Sequence, residues 1–560
     1  MAFAQELKAQ GRASFLPDSV VRGGKVVRRV AGRVLLAASR ILERNTWLCL
    51  TLIVLSFMPL VLAVARTHDL TCDELYTLGI ARQASVAKMI EVSRTLDLHP
   101  PLHYFTERAA LALPLPRWLG SRLPSILAGQ IMLLAVFWLL RREVGNMAGM
   151  VGTACLWFSP AMDYPWSNRP YSLWLCFLAL TALFWTLSTE DDRKWWQPIA
   201  LVVSALSMTA VHMFGLACLL PFFVAEALRT YRKKAIDWPV VLAVVLPSLM
   251  VISYFRQIKA MGVNTFSPRY LPSMGMAIDL YSDMVTVSMA ALIGAVVVAA
   301  VLIPRPESHD LPKIFRKEYW AMAISLSLMP LVLMVAATIH PTQFFQRYGV
   351  CGAVGVALLA AFFTERFVPR ARAIAVLLTV GMVAGSATRL YIETRGFDVR
   401  LAFNLTGLPP KSLEELDPKL PIVVAAGTEF TELNDREPMS VARNLYYVTD
   451  FAAAAKYSGQ TVFDGEQRTI DLLGMPGKTE ALKPFLTEHP TFYLISNYTS
   501  TEEWLARYLI AQGAHVELCG KFLSKVQTND LYRVTVSPDM PDLKNEQQNA
   551  AAVQRVQAQR

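Results

Sequence analysis

The chain has 560 residues, of which 54% are hydrophobic and 18% charged. A soluble protein of this length is nearer a quarter charged, so a purely soluble enzyme is excluded. The net charge of +10 does not point to nucleic acid, because the basic residues fall between long apolar blocks, as membrane orientation requires.

Residues 1–46 form a basic, weakly amphipathic arm with Arg22, Lys25, Arg28, Arg29, Arg33, Arg40 and Arg44. That composition suits a segment facing anionic lipid headgroups from the cytoplasm. The first apolar block, 47–65, lacks a small-residue cleavage site and reads as an uncleaved span. Ten more blocks follow, at 123–140, 147–162, 171–187, 199–211, 215–228, 240–254, 285–303, 320–339, 348–363 and 374–390. A block of about 20 apolar residues matches the hydrocarbon thickness. The fold class expected is therefore an α-helical polytopic membrane protein of about eleven transmembrane helices with juxtamembrane helices.

Between the first two blocks lies a loop, 67–122, rich in polar residues. Within it, 100–115 is apolar but carries Thr106, Glu107 and Arg108 and ends at Pro114 and Pro116. If it lies in the interface instead of crossing, Arg141/Arg142, Arg193/Lys194, Arg229 to Lys234, Arg305 to Lys317 and Arg366 to Arg372 share one side. Full crossing would invert that bias, so the positive-inside rule favours an interfacial helix. With a cytoplasmic N-terminus, everything after Leu390 is then expected outside the cell.

Residues 391–538 differ in kind. The β-branched and aromatic runs 421–426, 491–496, 515–519 and 531–536 read as strands. Ser500 and Glu503 form a capping-box pattern before the helical run 504–512, and Gly513 is its stop. The expectation is a C-terminal soluble α/β domain without a phosphate loop or nucleophile elbow. Residues 539–560 read as a disordered tail. The seven cysteines show no metal-type spacing. Only Cys72 and Cys519 stand clear of the apolar blocks, which leaves a bridge between them open.

Polar residues separated by several blocks converge on one side of the membrane. They are Asp73 and Glu74; Asp97, His99, His103 and Tyr104; Arg122; Asp163, Asn168, Arg169 and Tyr171; His212; and His340, Arg347 and Tyr348. A carboxylate there can orient or deprotonate an acceptor hydroxyl. Arginine and histidine can hold a leaving phosphate, and apolar helices can hold a lipid tail. Each residue also has a plainer role: Asp73 as a helix cap, Arg122 as a snorkelling side chain, His99 and His103 as packing groups. A transporter or flippase is the runner-up, but it predicts polar residues at mid-membrane.

Asp73-Glu74-Leu75-Tyr76, then Asp97-Leu98-His99-Pro100-Pro101-Leu102-His103-Tyr104, resembles the first outer loop of the protein O-mannosyltransferase-like families. Arg122-Leu123-Pro124-Ser125, Asn168-Arg169-Pro170-Tyr171-Ser172 and Gln346-Arg347-Tyr348 are similar to their later motifs. These families, which include lipid A glycosyltransferases, share the GT-C fold and use polyprenyl-phosphate sugars. The resemblance implies a GT-C catalytic domain over 47–390 and an inverting glycosyltransferase of the inner membrane's outer face. It makes Asp73 the catalytic carboxylate, with Glu74 and Asp163 shaping the site or holding a divalent cation. Arg347, helped by Arg122 or Arg169, would bind donor phosphate. His99, His103, Tyr104, Tyr171 and Tyr348 complete the expected substrate-binding set. The partners implied are a polyprenyl-phosphate sugar, an envelope glycan, lipid or protein acceptor, and membrane lipids. His99 stands where the aminoarabinose branch has lysine, which argues against that branch.

Overall fold

In the computed structural model, the described residues are 18–97, 99–254, 271–303, 316–339, 344–395, 412–459, 466–497, 503–523 and 528–537. The tail 539–560, Ser500 and His340 lie outside them.

The basic arm is a helix, α1 (Asp18–Arg44). Its inner face, with Gly32, Ser39 and Leu42, packs against the bundle, while Val26, Val30, Val34 and Ile41 stay exposed. Asn45 caps the next helix, α2 (Thr46–Thr67), by accepting from the Leu48 N–H at 3.0 Å. The following loop folds into α3 (Cys72–Ala81), α4 (Val86–Leu96), α5 (Leu102–Leu111) and the single turn α6 (Arg117–Gly120). The bundle continues with α7 (Leu123–Glu143), α8 (Asn146–Trp157), α9 (Tyr171–Ser188), α10 (Trp196–Val211), α11 (Phe214–Ala217), α12 (Leu220–Lys233) and α13 (Trp238–Val245). It ends with α14 (Met274–Leu302), α15 (Lys317–Ile339), α16 (Gly352–Phe367) and α17 (Ala371–Arg395).

Among the described residues, 8 helical stretches are long and apolar enough to cross a membrane. Trp196–Val211 and Trp238–Tyr254 are apolar but shorter. The remaining expected block, 147–162, overlaps α8, whose 12 residues rise only about 18 Å; Asn146 to Leu156 are buried throughout. The expected eleven blocks thus all fall on helices, but they are not equal in length. Helix α5 has 10 residues, about 15 Å, so it cannot cross a bilayer. Helices α15 and α16 approach closely at Gly355, where an added Cβ would stand 2.3 Å from the Ser327 backbone nitrogen.

One end of the bundle is tied by ion pairs: Arg142 with Glu190, Arg193 and Arg229 with Asp237, and Arg232 with Glu318. The opposite end of the same helices carries Arg122, Tyr171 and Arg347, together with the loop helices α3 to α6.

The C-terminal part is an α/β unit built on a 6-stranded sheet. Its strands are β1 (Ile422–Val424), β2 (Leu445–Thr449), β3 (Lys478–Ala481), β4 (Thr491–Ser496), β5 (His515–Leu523) and β6 (Thr528–Thr535), in the order β3-β2-β1-β4-β6-β5. The first four run parallel, and β6 and β5 extend the sheet antiparallel. Two apolar clusters cover its two faces, one around Phe485, Phe492 and Leu509 and the other around Phe430, Leu433 and Leu531. Four strands match expectation; β2 and β3 are additional. The helices are α18 (Gly427–Arg436), α19 (Met439–Ala442), α20 (Phe451–Tyr457), α21 (Glu466–Leu473), α22 (Leu482–Glu488) and α23 (Leu505–Ala511). Gly513, at φ 82°, follows α23. Ser500 of the expected capping box lies outside the described residues; Glu503 accepts from the Ser496 hydroxyl at 2.6 Å and the Asn497 N–H at 2.8 Å. All seven cysteines are free thiols, so Cys72 and Cys519 are not bridged.

Candidate active site

Helix α3 starts at the membrane end of the loop because Thr71-Cys72-Asp73-Glu74 is a capping box. Glu74 Oε2 accepts from the Thr71 N–H at 2.9 Å, and Thr71 serves as N-cap. This places Asp73 in the first turn with its carboxylate outward and 40% exposed. Asp73 Oδ2 accepts from Arg347 Nη1 at 3.1 Å and stands 3.8 Å from Arg169 Nε.

Glu74 is the opposite case. It is 2% exposed and saturated, accepting from Arg122 Nε at 2.9 Å, Arg122 Nη2 at 3.1 Å and the Asn168 N–H at 2.7 Å besides Thr71. It shapes the site and has no lone pair left for substrate. Arg122 is equally committed. Its remaining hydrogens go to the carbonyls of Ala65 at 2.6 Å, His68 at 2.7 Å and Asp69 at 2.8 Å. Arg122 lines the smaller cavity described below, but in this state every donor is spent on closing the end of α2 onto α3. Nor does it snorkel, since it is 1% exposed.

Arg169 is held by α3 and by the C-terminal end of α4. Its Nη1 donates to Asp97 Oδ2 at 3.0 Å, to the Asp73 carbonyl at 3.0 Å and to Thr77 Oγ1 at 3.2 Å. Burial alone would raise the Asp97 pKa, but the Arg169 guanidinium outweighs it and holds the carboxyl well below the usual range. Tyr104 donates to Asp97 at 2.7 Å and is fully buried. His99 and His103 are buried too; burial lowers them to about 4 and about 3, so both are neutral at physiological pH. His99, His103 and Tyr104 line neither cavity described below. In this state they form a wall behind Arg169, which itself lines the smaller cavity. Tyr348 also packs as a wall residue, its ring 4.8 Å from Phe214 and 6.1 Å from His212.

Two cavities meet at Arg347. The smaller, 260 Å³, is lined by charged and polar side chains that include Asp73, Arg169, Tyr171 and His68. The larger, 790 Å³, runs between α2, the end of α8, α14, the turn at 346–350 and α17, and has apolar walls that include Phe57, Trp157, Leu280 and Val287. Asp163, Tyr164, Trp166 and Arg347 line both. Enclosure pushes the Asp163 carboxyl up, partly offset by Arg389. Arg347 is half-buried and stacks over Phe345 at 4.6 Å. The Tyr171 hydroxyl is buried without a protein partner.

Some functional groups escape sequence reasoning. Asp283, Ser282 and Thr286 on α14 and Arg389 on α17 line the large cavity. Arg389 stands over the Trp166 ring at 4.8 Å. Their signal is present, as polar residues near the ends of apolar helices, but only the fold shows that they face a groove and not lipid headgroups. Glu107 is another; it accepts from Asn168 Nδ2 at 3.0 Å, and burial raises it to about 9.

A divalent cation does not fit the expected pair. Asp73 is already paired with two arginines, and among the described residues no three acidic, histidine or cysteine groups converge as ligands.

No curated protein sequence matches the chain significantly. The chain is similar in structure to ArnT from Cupriavidus metallidurans bound to undecaprenyl phosphate, with a TM-score of 0.50 at 13% identity, covering 86% of this chain and 96% of that one. It is similar to the apo form of the same protein with a TM-score of 0.51 at 12% identity and the same coverage. A profile of the dolichyl-phosphate-mannose-protein mannosyltransferase family matches residues 98–255, a span that holds α5, Arg122 and the Asn168–Tyr171 turn but neither Asp73 nor Arg347. The chain is thus a multi-pass membrane protein with the GT-C fold seen in ArnT, and residues 98–255, in its N-terminal half, match the mannosyltransferase profile.

Proposed function

We propose that this protein is an inverting glycosyltransferase that moves a sugar from a polyprenyl-phosphate donor to a hydroxyl acceptor. The observation that carries this reading is the junction of the two cavities. A half-exposed carboxylate, Asp73, and an arginine, Arg347, stand where a 260 Å³ chamber lined by charged side chains opens into a 790 Å³ groove walled by Phe57, Trp157, Leu280 and Val287. A prenyl chain suits the groove, its phosphate suits Arg347, and the sugar suits the polar chamber. The bound lipid in the similar ArnT structure is of the same chemical class.

In the reaction, the acceptor oxygen attacks the anomeric carbon and the bond from that carbon to the phosphate oxygen breaks. Asp73 takes the hydroxyl proton, and the phosphate leaves with the electron pair. Arg347, paired with Asp73 at 3.1 Å in this state, turns to the donor phosphate and frees the carboxylate for the acceptor. Its planar fork matches phosphate oxygens better than a lysine does. Arg169, fixed by Asp97, holds positive charge beneath both. Asp163 borders the acceptor side, and the Tyr171 hydroxyl is placed to bond a sugar or phosphate oxygen.

The acceptor is an envelope glycan, lipid or protein, and the site faces outward from a bacterial-type inner membrane with the α/β domain beside it. The charge bias of the connecting loops supports that sidedness. The test is mass spectrometry of envelope lipids and glycans from a deletion strain. One glycan or glycolipid should lose one sugar, and wild-type protein but not D73N should restore it. An unchanged envelope profile would contradict transfer as the function.

A further inference from the structure

The α/β domain has no role in the reaction as described, yet it sits on the helix that carries Asp73. Four of its residues converge on α3. Glu432 of α18 accepts from the Cys72 N–H at 3.0 Å. Met475, just beyond α21, packs with Leu70, Leu75 and Leu78, while Leu472 packs with Ile80, Met89, Val92 and Tyr104. Leu473 lies so close to Gly79 that an added Cβ would come within 2.4 Å of its Cδ2. Two further contacts brace the surroundings: Gln83 donates to the Leu472 carbonyl at 3.0 Å, and Arg117 pairs with Asp435, three residues beyond Glu432.

The first turn of a helix has N–H groups without intrahelical partners, and an acidic side chain in that turn commonly satisfies one. Asp73 stands where it could do so. In α3 the duty is taken over by others. Glu74 accepts from the Thr71 N–H at 2.9 Å, and Glu432, from a domain 360 residues away in sequence, accepts from the Cys72 N–H. The Asp73 carboxylate is thereby left to Arg347, Arg169 and the cavity. Glu432 itself is substantially enclosed; burial raises its pKa, opposed by its bond to Cys72.

We propose that Glu432 is a positioning residue: the α/β domain supplies the cap that fixes the first turn of α3, so that Asp73 points into the cavity. This rests on Asp73 being the base of the proposed reaction. The domain then works as a clamp on the active-site helix, and its docking and the geometry of the base are one and the same contact.

Three substitutions separate the cap from charge and from general stability. E432Q keeps an oxygen that accepts the Cys72 N–H but loses the charge. E432D keeps the charge but withdraws the oxygen by one methylene. E432A loses both. Each full-length variant is purified to a single gel-filtration peak and assayed for transfer from a polyprenyl-phosphate sugar, with D73N alongside. Expected is a fall in kcat of about ten- to a hundredfold for E432A and E432D, the scale for a reacting group displaced by about 1 Å. The donor KM should stay within about twofold, and E432Q should keep most of the wild-type kcat. Wild-type turnover in E432D with a loss in E432Q would show that charge and not the cap matters, and would overturn the proposal. So would E432A at wild-type kcat while D73N is inactive. Should E432A fail to yield folded protein, the E432D and E432Q pair decides alone. D73N with ordinary turnover would sink the assignment of the base itself, and the positioning role with it.

Discussion

At the scale of single residues, adjacent acids have opposite fates. Asp73 and Glu74 are neighbours in sequence, but Glu74 is saturated by Arg122, Thr71 and Asn168 while Asp73 opens into the cavity. Removing one member of a buried, hydrogen-bonded pair leaves an uncompensated charge, typically at a cost of about 3–5 kcal/mol. Arg122→Met should therefore lower the melting temperature sharply, measured by differential scanning fluorimetry in detergent, whatever it does to turnover. Arg347 is the contrast, since its partner is half-exposed. Arg347→Ala should weaken donor use more than acceptor use, and Arg347→Lys should fail to rescue, read from rates across donor concentrations with acceptor saturating. Full rescue by lysine would mean that a point charge suffices. Glu107 makes a pH prediction. Its folded pKa, about 9, lies above the ordinary carboxyl value, so its contribution to stability is full at acid pH and is lost as pH rises toward 9. Glu107→Gln keeps an oxygen for Asn168 and removes that loss. Its melting temperature relative to wild type should rise between pH 5 and 9; a flat difference would mean that Glu107 ionises normally in the fold.

At the scale of elements, the membrane helices were legible because hydrocarbon thickness imposes a length on apolar runs. Every expected block falls on a helix, and the loop segment 100–115 contains a helix too short to cross. The α/β unit was legible in part. Strand β2, Leu445–Thr449, carries aromatic and β-branched residues, but β3, Lys478–Ala481, is a polar edge strand that among the described residues pairs only with β2. A strand defined by its backbone partner and not by a buried face has little sequence pattern. For the site, polar motifs beside apolar blocks marked Asp73, Arg169 and Arg347. They could not separate groups that face the cavity from groups packed behind them: His99, His103 and Tyr104 stand outside both cavities, and Arg122 lines the smaller one with its donors already paired. What decides between the two is the partner across the fold, and those partners lie tens to hundreds of residues away. Helix packing gives a prediction at this scale as well. Because Gly355 meets backbone and not a flexible side chain, Gly355→Val should destabilise the α15–α16 contact, seen as a lowered melting temperature and loss of monodispersity. Unchanged behaviour would show that the two helices can separate freely.

At the scale of the whole molecule, the chain joins a lipid-sized groove, a polar chamber and an α/β unit that bears on the helix between them. If the connecting loops obey their charge bias, a phosphatase fused after Ser537 should be active and one fused after Lys234 silent; the reverse pattern would put the site on the other face. The sharpest test of the account is turnover by purified protein given a polyprenyl-phosphate sugar and an envelope fraction, with release of free polyprenyl phosphate as the readout. The wild type should release it in step with sugar transfer, and D73N should do so about two to four orders of magnitude more slowly while still binding the donor. Equal rates for the two proteins, or no release from either under conditions where donor binds, would contradict an Asp73-dependent glycosyl transfer.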